Sequence, residues 1–363
     1  VFTMVMLLSV STVLEAREKN ISNFSSSASN LVDSTGTFDG NKIYADVANN
    51  GLFLDYHVSG DSALEWPKGT GVHSIFQSAL WMGATVNGSI RTIVGDYTQD
   101  MGPGPWGGDP LAAVHRIYKV EKSMLASPLD FADFQEWPVE FGAPWVDVDG
   151  DGVYTPLPGG TDHPEFLGDQ VLWFVSNDGD PAYKLNFGTS PMNVEIQTTM
   201  FGFDRPDVFG DMVFLKQLVI NKGSDDLVDT YMGLWSDPDL GYAGDDFVGC
   251  DVALGMGYVW NDGDDSQYST LDIGTPAAGY DFFQGPMVPC EDGDSEEVCP
   301  TEGAKMFGTR HPGMKNLKMS SFAFYINGDA TYTDPSDETE GYFYLQGLRK
   351  DGSAYPAEIA GDL

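Results

Sequence analysis

The stretch from Ser74 to Tyr97 limits what this chain can become more than any other. SIFQSALWMGATV and SIRTIVGDY are both β-prone, and only Asn87-Gly88 separates them. Asn and Gly tolerate positive φ, so the dipeptide is the signal of a two-residue hairpin. The same grammar recurs along the chain. Runs at 42–47 and 51–56 flank Asn49-Asn50-Gly51, and further β-branched or aromatic runs lie at 112–120, 170–176, 193–203, 211–221, 230–235, 252–260 and 320–326. VFLKQLVIN (213–221) is nearly continuous in apolar residues and reads as a central strand. Helical pattern is confined to short stretches near 130–137 and 338–348. Forty-three glycines and the absence of long Leu/Ala/Glu/Lys runs agree with a turn-rich β protein. The expectation is a mainly β fold, antiparallel and β-sandwich-like, with long acidic, Gly-rich loops and few short helices. No fixed-period repeat or long linker divides residues 38–363, which read as a single module.

Charge narrows the function classes. Fifty-five acids against 18 Lys and Arg give a formal charge of −37. Such a surface repels phosphate backbones and anionic lipid, which argues against nucleic-acid and membrane-surface partners. It also leaves clustered carboxylates short of counter-charge, and two clusters stand out. In GAPWVDVDGDGVYTP, Asp147, Asp149 and Asp151 alternate with Gly150 and Gly152, a spacing that lets several oxygens turn toward one point. The pattern departs from an EF-hand loop: Tyr154 takes the small aliphatic place and Pro158 the place of the bidentate Glu, so a further ligand is expected from Asp162 or Glu165. The second cluster is WSDPDLGYAGDDFVGCD, with Asp237, Asp239, Asp245, Asp246 and Asp251 and no basic residue among them. Both are read as Ca2+ sites, because Ca2+ takes six to eight oxygens in flexible geometry. Cys290 and Cys299 enclose an acidic loop and are expected to pair, leaving Cys250 as a small buried thiol.

Residues 1–16, VFTMVMLLSVSTVLEA, are too short to span a bilayer and read as a secretory signal. The Ser/Asn-rich residues 17–37 read as a flexible leader, and no later run is long and apolar enough to be a transmembrane segment. Catalytic signatures are missing: no G-x-S-x-G, HExxH, P-loop or dinucleotide fingerprint occurs, and His57, His73, His115, His163 and His311 are scattered. The first reading is therefore a secreted, non-catalytic module for adhesion, assembly or scaffolding, stabilised by Ca2+. Its partner would be an extracellular glycan or another surface protein. The alternative is a carbohydrate-binding or carbohydrate-cleaving module, in which Trp66, Trp81, Trp106, Trp137 and Trp145 line a sugar groove. Core packing is the commoner use of such aromatics in β proteins. Some other secreted hydrolase is a third reading.

Several segments together carry a resemblance. LEWPKGTG, ALWMGATVNGSIR, APWVDVDGDGVYTP, GDQVLWFVSND, the SDPDLG to DDFVGCD run, GYVWND, PAAGYDFFQGP and MSSFAFYINGD follow one another from about residue 40 to 350. In that order they resemble the N-terminal modules of large secreted bacterial surface proteins exported by type IX secretion. The resemblance implies a β-rich extracellular module at or beyond the cell surface and carries no activity with it. Many members end in a sorting domain that these residues do not include, so the chain is expected either to be the N-terminal part of a longer protein or to leave by another export route.

Overall fold

The structure, a computed structural model, describes residues 2–10, 35–157, 162–326 and 328–356. It is mainly β, built chiefly from antiparallel ladders, and the α-helices among the described residues are Ala132–Gln135 and Glu338–Leu345. The sandwich expectation is corrected. Among the described residues the strands fall into seven sheets, and their arrangement is that of a four-bladed propeller rather than two facing layers. The physical reason is that a sandwich needs two large sheets with one wet face each. Here most strands are only two to five residues long, and the long strands Gln77–Val86 and Gln170–Asn177 are buried on both faces. The stretch read as a single module folds as two compact units interleaved in sequence.

One unit comprises Asn23–Ser78 and Gly95–Ser224. Its main sheet runs in the order Tyr118–Glu121, Gln170–Asn177, Val194–Gly202, Phe214–Asn221, all antiparallel. The strand Gln170–Asn177 is buried at every position. VFLKQLVIN, expected to be central, instead supplies the last strand in that order and is half exposed along its length. Lys216 and Gln217 interrupt its apolar run, and an edge tolerates them where an interior strand would not. Tyr118, Val120, Phe134, Trp137, Val171 and Trp173 form a core, with Trp145 and Tyr154 packed against it. Fully burying one such aromatic is worth about 1.5–3 kcal/mol, so this cluster anchors whatever is attached to its rim. Elsewhere in the unit the buried Lys184 ammonium lies 2.8 Å from Asp100 and 4.0 Å from Asp178. Asp178 also accepts the backbone N–H groups of Met192 and Val194.

The other unit comprises Val1–Ser22, Ala79–Val94 and Asp225–Leu363. The expected hairpin forms, with Val86 opposite Ser89 and positive φ at Asn87 and Gly88. Trp81 stacks on Trp235, whose indole N–H donates to the Tyr325 hydroxyl at 2.6 Å. Within the apolar run read as a secretory signal, Phe2–Val10 forms a strand parallel to Val228–Asp237 on one side and Met319–Ile326 on the other. The polar leader lies outside the described residues up to residue 34, and Thr35–Phe38 is already strand. A separate three-stranded sheet joins Asp246–Asp251, Met256–Asn261 and Ala278–Asp281. Its inner face packs Val248, Cys250 and Tyr280 on Phe322. Cys250 is half-buried there rather than sealed in, and burial pushes its thiol pKa up, with the Asp251 carboxylate adding to the effect.

Candidate metal centre

Two short strands, Trp145–Val146 and His163–Pro164, pair antiparallel and leave the acidic loop between them. The rim of the core holds both ends. The Trp137 indole N–H donates to the Pro144 carbonyl at 3.0 Å, and Glu165 N–H donates to the same carbonyl at 2.9 Å. Tyr154 returns the loop to the core: its hydroxyl donates to the Phe134 carbonyl at 2.6 Å and its ring meets Trp145 edge-on. Burial and the Asp162 charge push the Tyr154 phenol above its ordinary range, so it stays a donor.

Inside this frame the carboxylates shape the backbone. Asp147 accepts Gly150 N–H with one oxygen (2.7 Å) and Gly152 N–H with the other (2.9 Å). Asp149 accepts Asp151 N–H at 3.2 Å, and Asp151 accepts Val153 N–H at 2.7 Å. These turns need left-handed backbone at Gly150 and Gly152, whose φ values are +79° and +75°. Asp162, only 1 % exposed, accepts Val148 N–H and Thr155 N–H from across the loop, together with the Thr155 hydroxyl. The backbone bond from Thr155 is the chief reason its carboxyl sits below the usual carboxylate range. It is therefore ionised at neutral pH, and what it adds to stability is lost as pH falls through the acid range.

Asp147, Asp149, Asp151 and Asp162 each bring one oxygen to a set lying within 4.8 Å of one another. Opposite oxygens of a Ca2+ shell lie about 4.6–5.2 Å apart, twice the usual bond length, so the four can hold a cation together. Of the two residues considered from sequence as the added ligand, Asp162 joins the set. Glu165 faces Lys216 instead, at 3.9 Å. Pro158 lies outside the described residues.

The second acidic segment is arranged differently. Among the described residues, no group containing Asp237, Asp239, Asp245, Asp246 or Asp251 brings three donor atoms together in this way. The reason is secondary structure. Asp246 and Asp251 open and close one strand, about 17 Å apart and on opposite faces. Asp246 accepts Leu240 N–H and the Asn261 amide, Asp245 shares that amide, and Asp251 accepts Leu254 N–H in the following turn. Asp237 and Asp239 are buried. Sequence reasoning passed over Asp265, which is fully buried and accepts the N–H groups of Tyr242, Gln267 and Tyr268. The acidic turn 261–266 was the available signal, but nothing in it tells a buried Asp from an exposed one. Burial pushes Asp246 up to about 7, and Asp239, Asp245 and Asp265 add to the shift.

The expected disulfide is present, joining Cys290 and Cys299 with their Cα atoms 5.9 Å apart. The acidic loop it closes is met by a lysine: Lys315 lies 2.9 Å from Asp294. Of the tryptophans proposed for a sugar groove, Trp81 and Trp137 are core. Trp66 and Trp145 are half-buried, with the Trp66 indole N–H donating to Asp211, and Trp106 is 41 % exposed. No helix among the described residues is long and apolar enough to cross a membrane. Comparison with protein-family models, curated proteins and solved structures finds no match for this chain.

Proposed function

We propose that this chain is a secreted or cell-surface, non-catalytic module for adhesion or assembly, locked by Ca2+ at Asp147, Asp149, Asp151 and Asp162. The observation that carries the reading is the convergence of those four carboxylates on a loop fixed to the core at both ends. Two unit charges 4 Å apart repel by roughly 4 kcal/mol at an effective dielectric of 20, so a divalent cation relieves a large local strain. Ca2+ accepts such an all-oxygen set in variable geometry, whereas Mg2+ demands a tighter octahedral shell. An extracellular setting supplies that cation and suits the Cys290–Cys299 bridge, since disulfides persist in oxidising compartments. The resemblance to type IX secretion modules implies the same address and is part of this proposal.

Calorimetry with Ca2+ and Mg2+ on the chelated protein tests the reading. Saturating Ca2+ at a hundred times its dissociation constant should add about 2.7 kcal/mol of stability, seen as a raised melting temperature that a chelator reverses. Absence of Ca2+ heat together with an unmoved melting curve would dispose of the metal centre.

A further inference from the structure

The solvent face of the three-stranded sheet breaks the usual rule that outward positions are polar. Phe247 pairs with Trp260 across the two strands, both exposed (49 % and 39 %), with their rings stacked at 5.2 Å. One row further, Tyr258 lies between Gly249 and Gly279. Those glycines are structural requirements of the surface. A Cβ on Gly249 would sit 2.9 Å from the Tyr258 ring, and one on Gly279 would press within 3.2 Å of the Tyr258 Cβ. The tyrosine ring can therefore lie over its neighbour strand instead of standing off the sheet. Next along this face, Asp251 and Asp281 flank the end of the middle strand. The Trp260 indole N–H and the Tyr258 hydroxyl bond to no group of the described residues, which leaves both to an incoming ligand.

We infer that the face carrying Phe247, Tyr258 and Trp260 binds an uncharged glycan, whose pyranose rings stack on the aromatics while its hydroxyls bond to Trp260, Tyr258, Asp251 and Asp281. Three observations select this occupant. The strip is about 10 Å wide and about 14 Å long by strand spacing and rise, room for two or three sugar rings and far below the roughly 800 Å² per partner of a stable protein interface. A second copy would also bring Asp251 and Asp281 against their own kind on a chain of charge −37. The same acids repel uronic and sulfated sugars but accept neutral hydroxyls. Exposed aromatic rings with polar edges suit such amphipathic rings, apolar on the face and hydrogen-bonding at the rim. The site gives the adhesion reading a ligand, yet it shares no residue with the metal centre and stands or falls separately.

The test is titration of the Ca2+-saturated protein with cellohexaose, xylohexaose, mannohexaose and chitohexaose, with an alginate hexasaccharide as the anionic control, followed by tryptophan fluorescence and calorimetry. At least one neutral hexasaccharide should bind and the alginate should not. Trp260→Ala should weaken binding at least tenfold with an unchanged circular dichroism spectrum, since the side chain faces solvent. Gly249→Val, which displaces the Tyr258 ring and leaves Trp260 in place, should weaken it three- to tenfold. Any of three results would overturn the inference: no neutral sugar bound at millimolar concentration, binding indifferent to Trp260→Ala, or concentration-dependent dimerisation that Trp260→Ala abolishes.

Discussion

Asp147–Asp162 and Asp237–Asp265 both crowd carboxylates into a stretch without a Lys or Arg, and they relieve the crowding differently. In the first, alternate positions on a glycine loop turn four oxygens toward one point. In the second, a strand carries Asp246 and Asp251 apart, and the carboxylates that remain near one another retreat into the protein. There the relief comes from hydrogen bonds and, at Asp246, from a retained proton. Acid count therefore says little about metal binding. What decides it is whether the backbone between the acids is free to curl, and in this chain glycines at alternate positions mark where it is.

A third arrangement sets the scale for both. Asp100 and Asp178 are buried like Asp265, but they have Lys184. Lys184→Met should cost about 3–5 kcal/mol, the usual penalty for leaving buried charge uncompensated, and urea unfolding would measure it. A loss under about 1 kcal/mol would mean that this protein tolerates buried carboxylates without counter-charge. The contrast between the two acidic segments would then lose its physical basis.

Next in size is the contrast itself. Asp162→Ala should remove the Ca2+-dependent gain of about 2.7 kcal/mol seen at a hundredfold excess over the dissociation constant. Asp246→Ala should leave that gain intact. Differential scanning calorimetry with and without chelator reads both variants, and a reversed result would move the metal centre to the second segment.

Much of the fold was legible because hairpin chemistry is local. Asn87-Gly88 fixed its turn, and the strands Gln170–Asn177, Val194–Gly202 and Val228–Asp237 fall where β-branched and aromatic runs place them. Asp147, Asp149 and Asp151 were legible for the same reason, since their spacing and their glycines lie within the six residues 147–152. Sheet arrangement was not, because it depends on which strands meet across long separations. VFLKQLVIN shows the difficulty: its composition suits an interior strand, yet its neighbours leave it at an edge. The same limit hid Asp265, which meets Tyr242 from 23 residues away as well as Gln267 and Tyr268 beside it.

A smaller effect separates the segments by pH. Asp246 holds its proton up to about 7 in the fold, against 3.8 as its ordinary value. The folded state therefore binds more protons than the unfolded one between those values, and this contribution to stability falls as pH rises from about 4 to about 7. A shift that large would be worth about 4 kcal/mol for a dry group, but solvent reaches this half-buried side chain and cuts the effect to on the order of 1 kcal/mol. Asp246→Asn should remove the slope, becoming the more stable protein above pH 7 and losing that advantage near pH 4. Melting temperatures across that range check the sign, and a wild-type advantage that grows with pH would show that a cation or base faces Asp246 after all.

The smallest expected effect is the sharpest discriminator. Asp251 closes its strand opposite Met256, about 17 Å from Asp246, and its carboxylate accepts Leu254 N–H in the turn that follows. If strand geometry rather than acid density governs cation binding, Asp251→Ala loses one exposed turn bond and no ligand. The change should stay within about 0.5 kcal/mol, as for most surface substitutions. The Ca2+ stoichiometry and heat should match wild type, while affinity for a neutral hexasaccharide should weaken, because the same carboxylate ends the aromatic strip. Both titrations can be run on one preparation of the variant. Loss of a Ca2+ equivalent would show that the acidic strand gathers ligands despite its alternation, and the distinction between loop and strand would fail at the position where it is most explicit.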